Sequence, residues 1–233
     1  MKVFLPWAMV LVSALAGCAT SEIGAGRLGD AVTESDRSDA MRRADLRLEL
    51  ARAYLEQGQP LVALDEVKQA LALDPKSTDG WSLRGVAYTR LGDAPRAEAS
   101  FERVLALAPS DADAAHNLGW LLCQSTPLDA QRQARAQALL RQALAQPRYG
   151  QADRTWLALA VCQDRAGQTD QALQSLAQPA LQSANSPQTL WQAAKLARKL
   201  DNGLLVRQLG GQLRERFGRS PQASAFDRGA WDD

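Results

Sequence analysis

Aromatic, small and proline positions recur along this chain at one fixed spacing. Tyr54 and Tyr88 stand 34 residues apart, and so do Gly58 and Gly92, Ala63 and Ala97, Val67 and Phe101, and Pro75 and Pro109. Chance rarely aligns five unlike residue types at one offset, and an unrelated helical bundle has no reason to keep such a register. The pattern predicts helices that repeat as units. The small residues Ala51, Gly85, Gly119 and Ala160 let neighbouring helices approach closely. Tyr54, Tyr88 and Phe101 are expected to fill the space between units, and Pro75 and Pro109 to end helices that a proline cannot extend.

The first residues follow a different rule. Lys2 is followed by an almost wholly apolar run from Val3 to Ala16, shorter than the roughly 20 residues that span a bilayer. A secretory signal is the better reading. The run closes on Leu15-Ala16-Gly17-Cys18, which resembles the bacterial lipobox. That resemblance implies cleavage before Cys18 and lipid attachment to its thiol, with acyl chains adding about 0.8 kcal/mol of membrane affinity per buried methylene. Ala19 follows where an aspartate would favour retention in the inner membrane, so the same resemblance implies an outer-membrane anchor with the protein facing the periplasm. The expected organisation is a signal peptide over 1–17, an acylated cysteine and flexible polar tether over 18–39, and a repeat domain over 40–233.

The period and residue order resemble the tetratricopeptide repeat, which implies two antiparallel helices per unit. The fold class expected is all-α, a right-handed superhelical solenoid of about five to six helix pairs. Units are placed at 44–77, 78–111, 112–150, 153–186 and 187–220, with a short capping helix in the tail. The third unit is stretched, and its surplus is assigned to the turn at Ser125-Thr126-Pro127. Pro179 should break the second helix of the fourth unit, since an interior proline costs about 3 kcal/mol or more. The fifth unit looks weakest, with Gly210-Gly211 in its second helix and Leu190, Ala194 and Phe217 as its core.

Composition narrows the function. The 233 residues carry 27 basic and 26 acidic side chains, and removal of the segment holding Lys2 leaves the two in balance. A neutral body lacks the basic field of a general nucleic-acid binder. One histidine and three cysteines are too few for most His- or Cys-based metal sites. No glycine-rich phosphate loop or paired catalytic constellation is present. The expectation is a binding module without enzymatic activity, cofactor, metal or small-molecule substrate.

Four segments point to one family. They are Asn117 to Cys123 (NLGWLLC), Ala143 to Tyr149 (ALAQPRY), Leu159 to Cys162 (LAVC), and the opening of the repeats from Arg42 to Pro75. With the lipobox, they resemble the type IV pilus biogenesis and stability lipoproteins, the PilF/PilW family. The resemblance implies a pilotin, an outer-membrane lipoprotein that helps the pilus secretin reach the outer membrane and multimerise. A general periplasmic scaffold for cell-wall or outer-membrane assembly factors needs the same anchor and the same groove.

First helices line the concave face of such a solenoid, which places Leu48, Arg52, Ser82, Val86, His116, Asn117, Trp120, Leu157 and Val161 in a client-binding groove. Trp120 is the natural anchor, because tryptophan is enriched at binding hot spots. His116 is expected to make a polar contact at the surface or in the groove. Asn117 lacks the basic companions of a carboxylate clamp. The cluster Arg42, Arg43, Arg47 and Arg52 reads first as a solvated helix face. Cys123 and Cys162 fall late in the first helices of adjacent units, close enough in a packed stack for a disulfide in an oxidising compartment. Two buried thiols are the alternative.

Overall fold

The computed structural model describes residues 34–126 and 129–231, which form twelve helices and no strand. The signal segment, Cys18 and Pro127 lie outside the described residues. Helices follow one another in pairs. The first pair is α1 (Glu34–Glu56) and α2 (Pro60–Leu73), and the second is α3 (Thr78–Arg90) and α4 (Ala94–Leu107). Then come α5 (Ala112–Gln124) and α6 (Ala130–Leu144), α7 (Ala152–Arg165) and α8 (Thr169–Leu176), a single turn α9 (Pro179–Gln182), and α10 (Pro187–Lys199) with α11 (Gly203–Phe217). The short α12 (Pro221–Arg228) closes the stack. Partners within each pair pack together, and the first helices also touch in series, α1 on α3, α3 on α5, α5 on α7 and α7 on α10. This is the solenoid that the 34-residue register requires.

Local chemistry sets the boundaries. Helix starts are capped by side chains that accept a backbone N–H three residues on: Ser77 from Gly80, Asp93 from Arg96, Asp111 from Ala114, Asp129 from Arg132 and Ser186 from Thr189. Pro75 and Pro109 each follow the capping residue of a second helix, Asp74 and Ala108. Gly58, Gly92 and Gly167 occupy the turns inside their pairs with φ of 73°, 74° and 70°, a conformation that costs glycine nothing. The fifth unit meets the same need with Asp201 at φ 54°. Pro179 does break the second helix of the fourth unit: α8 stops at Leu176, and the proline opens α9.

Three expectations need correction. Helix α1 covers Glu34–Glu56, so residues 34–39, expected in the flexible tether, belong to a helix. The third unit's surplus does not sit in one turn. The α5–α6 connection spans 125–129 against 91–93 in the unit before, while the α6–α7 connection spans 145–151 against 108–111. Nor is the fifth unit poorly packed. Leu190, Trp191, Leu205, Leu209 and Leu213 are all buried, whereas Phe217 is only half-buried.

The glycine pair explains part of that difference. A side chain on Gly210 would collide with the ring of Phe226, which α12 lays across α11 at that point. Phe226 also meets Trp191 and Trp231 edge to face, and the two tryptophans stack with centroids 4.9 Å apart. A comparable socket holds the first half of the solenoid together: a Cβ on Gly85 would sit 2.5 Å from the buried Phe101 ring. The apolar core runs from α1 to the near side of α7 and continues from the far side of α7 to α12. Leu46 and Leu50 are exposed on the face of α1 opposite its buried stripe Ala44, Leu48, Ala51 and Leu55, where the structure describes no preceding unit.

Candidate functional site

Helical periodicity places one row of side chains from each of three first helices on a common concave surface. Residues one turn apart share a face. That row is His116, Asn117 and Trp120 on α5, then Arg154, Leu157, Ala158 and Val161 on α7. On α10 it is Gln188, Thr189, Gln192, Lys195, Leu196 and Lys199. Two contiguous cavities result, of about 390 and 530 Å³, and they share Trp120, Leu157 and Gln192. Their floor is apolar and their edges carry amides and cations. Grooves of that size and make-up suit ligand side chains.

The floor is held rigidly. Cys123 in α5 and Cys162 in α7 are joined, with Cα atoms 5.6 Å apart. Trp120 lies one turn before the first cysteine and Val161 directly precedes the second, so the bond fixes the two helices at the place where they supply the groove.

His116 lies at the other end of the groove, buried to 8% exposure. Its Nδ1 is 2.7 Å from the hydroxyl of Thr155, which is 3.0 Å from the Tyr149 hydroxyl and 3.1 Å from the Gln151 carbonyl. A hydroxyl has one proton to donate and two lone pairs to accept with. If Thr155 donates to Gln151, it accepts from both Tyr149 and His116, which places the imidazole proton on Nδ1. Burial, with the Arg154 guanidinium nearby, lowers the His116 pKa to about 4. The ring is therefore neutral at neutral pH and links α5 to α7. It is a buried polar strut rather than a surface contact. Burial also pushes the Tyr149 hydroxyl and the Asp113 carboxyl upward.

Of the nine groove residues expected from the sequence, the structure brings His116, Asn117, Trp120, Leu157 and Val161 together. The other four lie elsewhere. Leu48 is 3% exposed and belongs to the stripe of α1 that packs into the core. Arg52 reaches Asp79 at 2.6 Å and ties the first unit to the second. Ser82 and Val86 are half-buried, Val86 against the core. The expected arginine cluster is mostly paired as well, Arg42 with Asp39 and Arg47 with Glu66 at 2.8 Å. The two cavities thus lie in the second half of the solenoid.

Sequence reasoning missed the contribution of α10, although the signal was present. The small-residue register runs from Gly119 to Ala160 to Ala194. Carried one unit further, it moves Arg154, Ala158 and Val161 onto Gln188, Gln192 and Lys195, all of which line the groove. Among the described residues no group of three or more His, Cys, Asp or Glu side chains comes together to hold a metal, and no helix is long and apolar enough to cross a membrane.

Comparison with known proteins agrees with the architecture. Residues 48–122 match the tetratricopeptide repeat family. The FK506-binding protein-like protein of Mus musculus is 34% identical over 88 residues, which are 38% of this chain and 25% of that protein, so the match spans about a quarter of the curated relative. Among solved structures, the chain is similar to PilW, described as a widely conserved type IV pilus biogenesis factor. The TM-score is 0.54 and the identity 23%, over 78% of this chain and 97% of that one. It is also similar to a thermophilic tetratricopeptide protein of Thermus thermophilus, with a TM-score of 0.65 and 17% identity over 80% and 98% of the two chains. These likenesses show the fold, a tetratricopeptide solenoid of the kind that serves as a protein-interaction scaffold.

Proposed function

We propose that this chain is an adaptor whose groove between α5, α7 and α10 holds a segment of a client protein, and that the client is the secretin of the type IV pilus. In this reading the chain is an outer-membrane lipoprotein, anchored through Cys18 and facing the periplasm, that helps the secretin reach the outer membrane and multimerise. The observation that carries the binding half is the continuous apolar groove with Trp120 at the junction of its two cavities. A half-exposed tryptophan in a preformed trough is what an anchoring site requires. Support for the pilus half comes from the lipobox-like Leu15-Ala16-Gly17-Cys18, the resemblance at Asn117 to Cys123 and Leu159 to Cys162, and the likeness to nearly the full length of PilW. Fold alone would not carry it, since one scaffold serves unrelated tasks.

The test is genetic. A deletion strain is expected to lose heat- and detergent-resistant secretin multimers and surface pili, with both restored by the wild-type chain. A Cys18→Ser chain should leave the outer-membrane fraction and fail to restore them. Normal multimers in the deletion strain would turn the reading to a general envelope scaffold.

A further inference from the structure

The groove continues beyond the two cavities described above. Gln188 and Gln192 also line a third, of about 280 Å³, whose far wall is Pro221, Gln222, Ala225 and Arg228 from α12, with Trp191 between. One trough therefore crosses α5, α7, α10 and α12. Its ionised lining is of one sign. Arg154, Lys195, Lys199 and Arg228 face it, and among the described residues no aspartate or glutamate lines any of the three cavities. Asp164 holds Lys199 at 2.6 Å, Asp113 is within Coulombic reach of Arg154, and Asp227 is engaged by Arg214 at 2.5 Å. Down the middle run side-chain amides, Gln188 and Gln192, each of which can both donate to and accept from a peptide group.

From this we infer that the trough is built for an acidic peptide segment, one that lays one or two bulky apolar side chains on Trp120 and Leu157 and sets carboxylates against Lys195, Lys199 and Arg228. The inference rests on the groove reading above and names the chemistry of its occupant. Each feature has a separate role. The apolar floor supplies affinity by burying ligand surface. The amides hold main-chain groups that would otherwise lose their hydrogen bonds to water. The cations select the sign of the ligand and speed its arrival, since like charges brought together across an interface cost several kcal/mol. A basic client would bring like charges together at the rim.

Two synthetic peptides test this on the full chain. Both carry the same Phe-Leu pair, flanked by glutamates in one and by lysines in the other, and binding is read by fluorescence anisotropy at low and at physiological salt. The glutamate peptide is expected to bind at least about tenfold tighter, with the gap narrowing as salt rises. Lys195→Glu with Lys199→Glu should reverse the order of the two peptides. The gentler Lys195→Gln with Lys199→Gln, which keeps most of each side chain's apolar stem, should shrink the difference. Equal binding, a preference for lysines, no binding of either peptide, or an unchanged preference in both double variants would overturn the inference. Capture of the chain by anionic phospholipid vesicles, lost in the same variants, would also overturn it by assigning the cations to a membrane. If Trp120→Ala abolishes secretin multimers while charge reversal leaves them intact, the groove reading stands and the acidic occupant falls.

Discussion

Removing the Cys123–Cys162 bond is expected to destabilise the chain by about 4 kcal/mol. The bond joins residues 39 apart in sequence, and a loop of that length restricts the unfolded ensemble by that amount in the chain-entropy account. Both cysteines are about 1% exposed, so Cys123→Ala with Cys162→Ala leaves small apolar side chains in apolar surroundings and isolates the effect of the bond. Its position makes the effect local as well as global. It crosses from the third unit to the fourth, where the lengthened 145–151 connection and the break before Pro179 interrupt regular stacking. Urea unfolding of the double variant, and of the wild type with and without reductant, should show the reduced and substituted forms unfolding together and well before the oxidised form. Coincident curves for oxidised and reduced wild type would contradict this.

His116 should make the stability of the chain depend on pH across the mildly acid range. Its pKa falls from 6.5 in the unfolded chain to about 4 in the fold, so between those values the unfolded state binds the extra proton. Stability is then complete above about pH 6.5 and is lost as pH falls toward 4, with a total effect on the order of 3 kcal/mol. About 2 kcal/mol of that should appear between roughly pH 7 and pH 5. Protonation would place a charge between α5 and α7, beside the Arg154 guanidinium and against a Thr155 hydroxyl already shared with Tyr149. His116→Gln has no such titration. The difference in unfolding free energy between wild type and variant should shrink as pH falls through this window, whatever the carboxylates common to both contribute. Parallel pH profiles for the two proteins would remove His116 from this role.

Much of the fold was legible because the signals that set it are local. Gly58 and Gly92 share an offset because each turn needs a positive φ, and Pro75 and Pro109 share it because each second helix must stop before the next unit starts. Gly210 is not legible in the same way, for the opposite reason. Its partner Phe226 belongs to another helix, and no local pattern says that an aromatic ring will lie across a glycine to cap the solenoid. The groove shows the same division. Trp120, Leu157 and Val161 follow from the register of the third and fourth units, whereas Gln192 and Lys195 belong to the fifth, whose glycine pair makes it the weakest in sequence. Leu48 has the register position of a groove residue, but register does not say which side of a helix its neighbours cover. In α1 that stripe faces the core.

The claim that the client lies between α5, α7 and α10 is tested most directly by photocrosslinking in cells. Gln192 is exposed and lines both large cavities together with Trp120, whereas Arg103 is exposed on α4, away from them. With a benzoylphenylalanine in place of Gln192, illumination should yield an adduct containing the secretin subunit. Adding Trp120→Ala, which should weaken binding by about 2 kcal/mol, should abolish that adduct while the chain remains folded. An adduct that forms from Arg103 and not from Gln192, or one that persists undiminished without Trp120, would contradict the account.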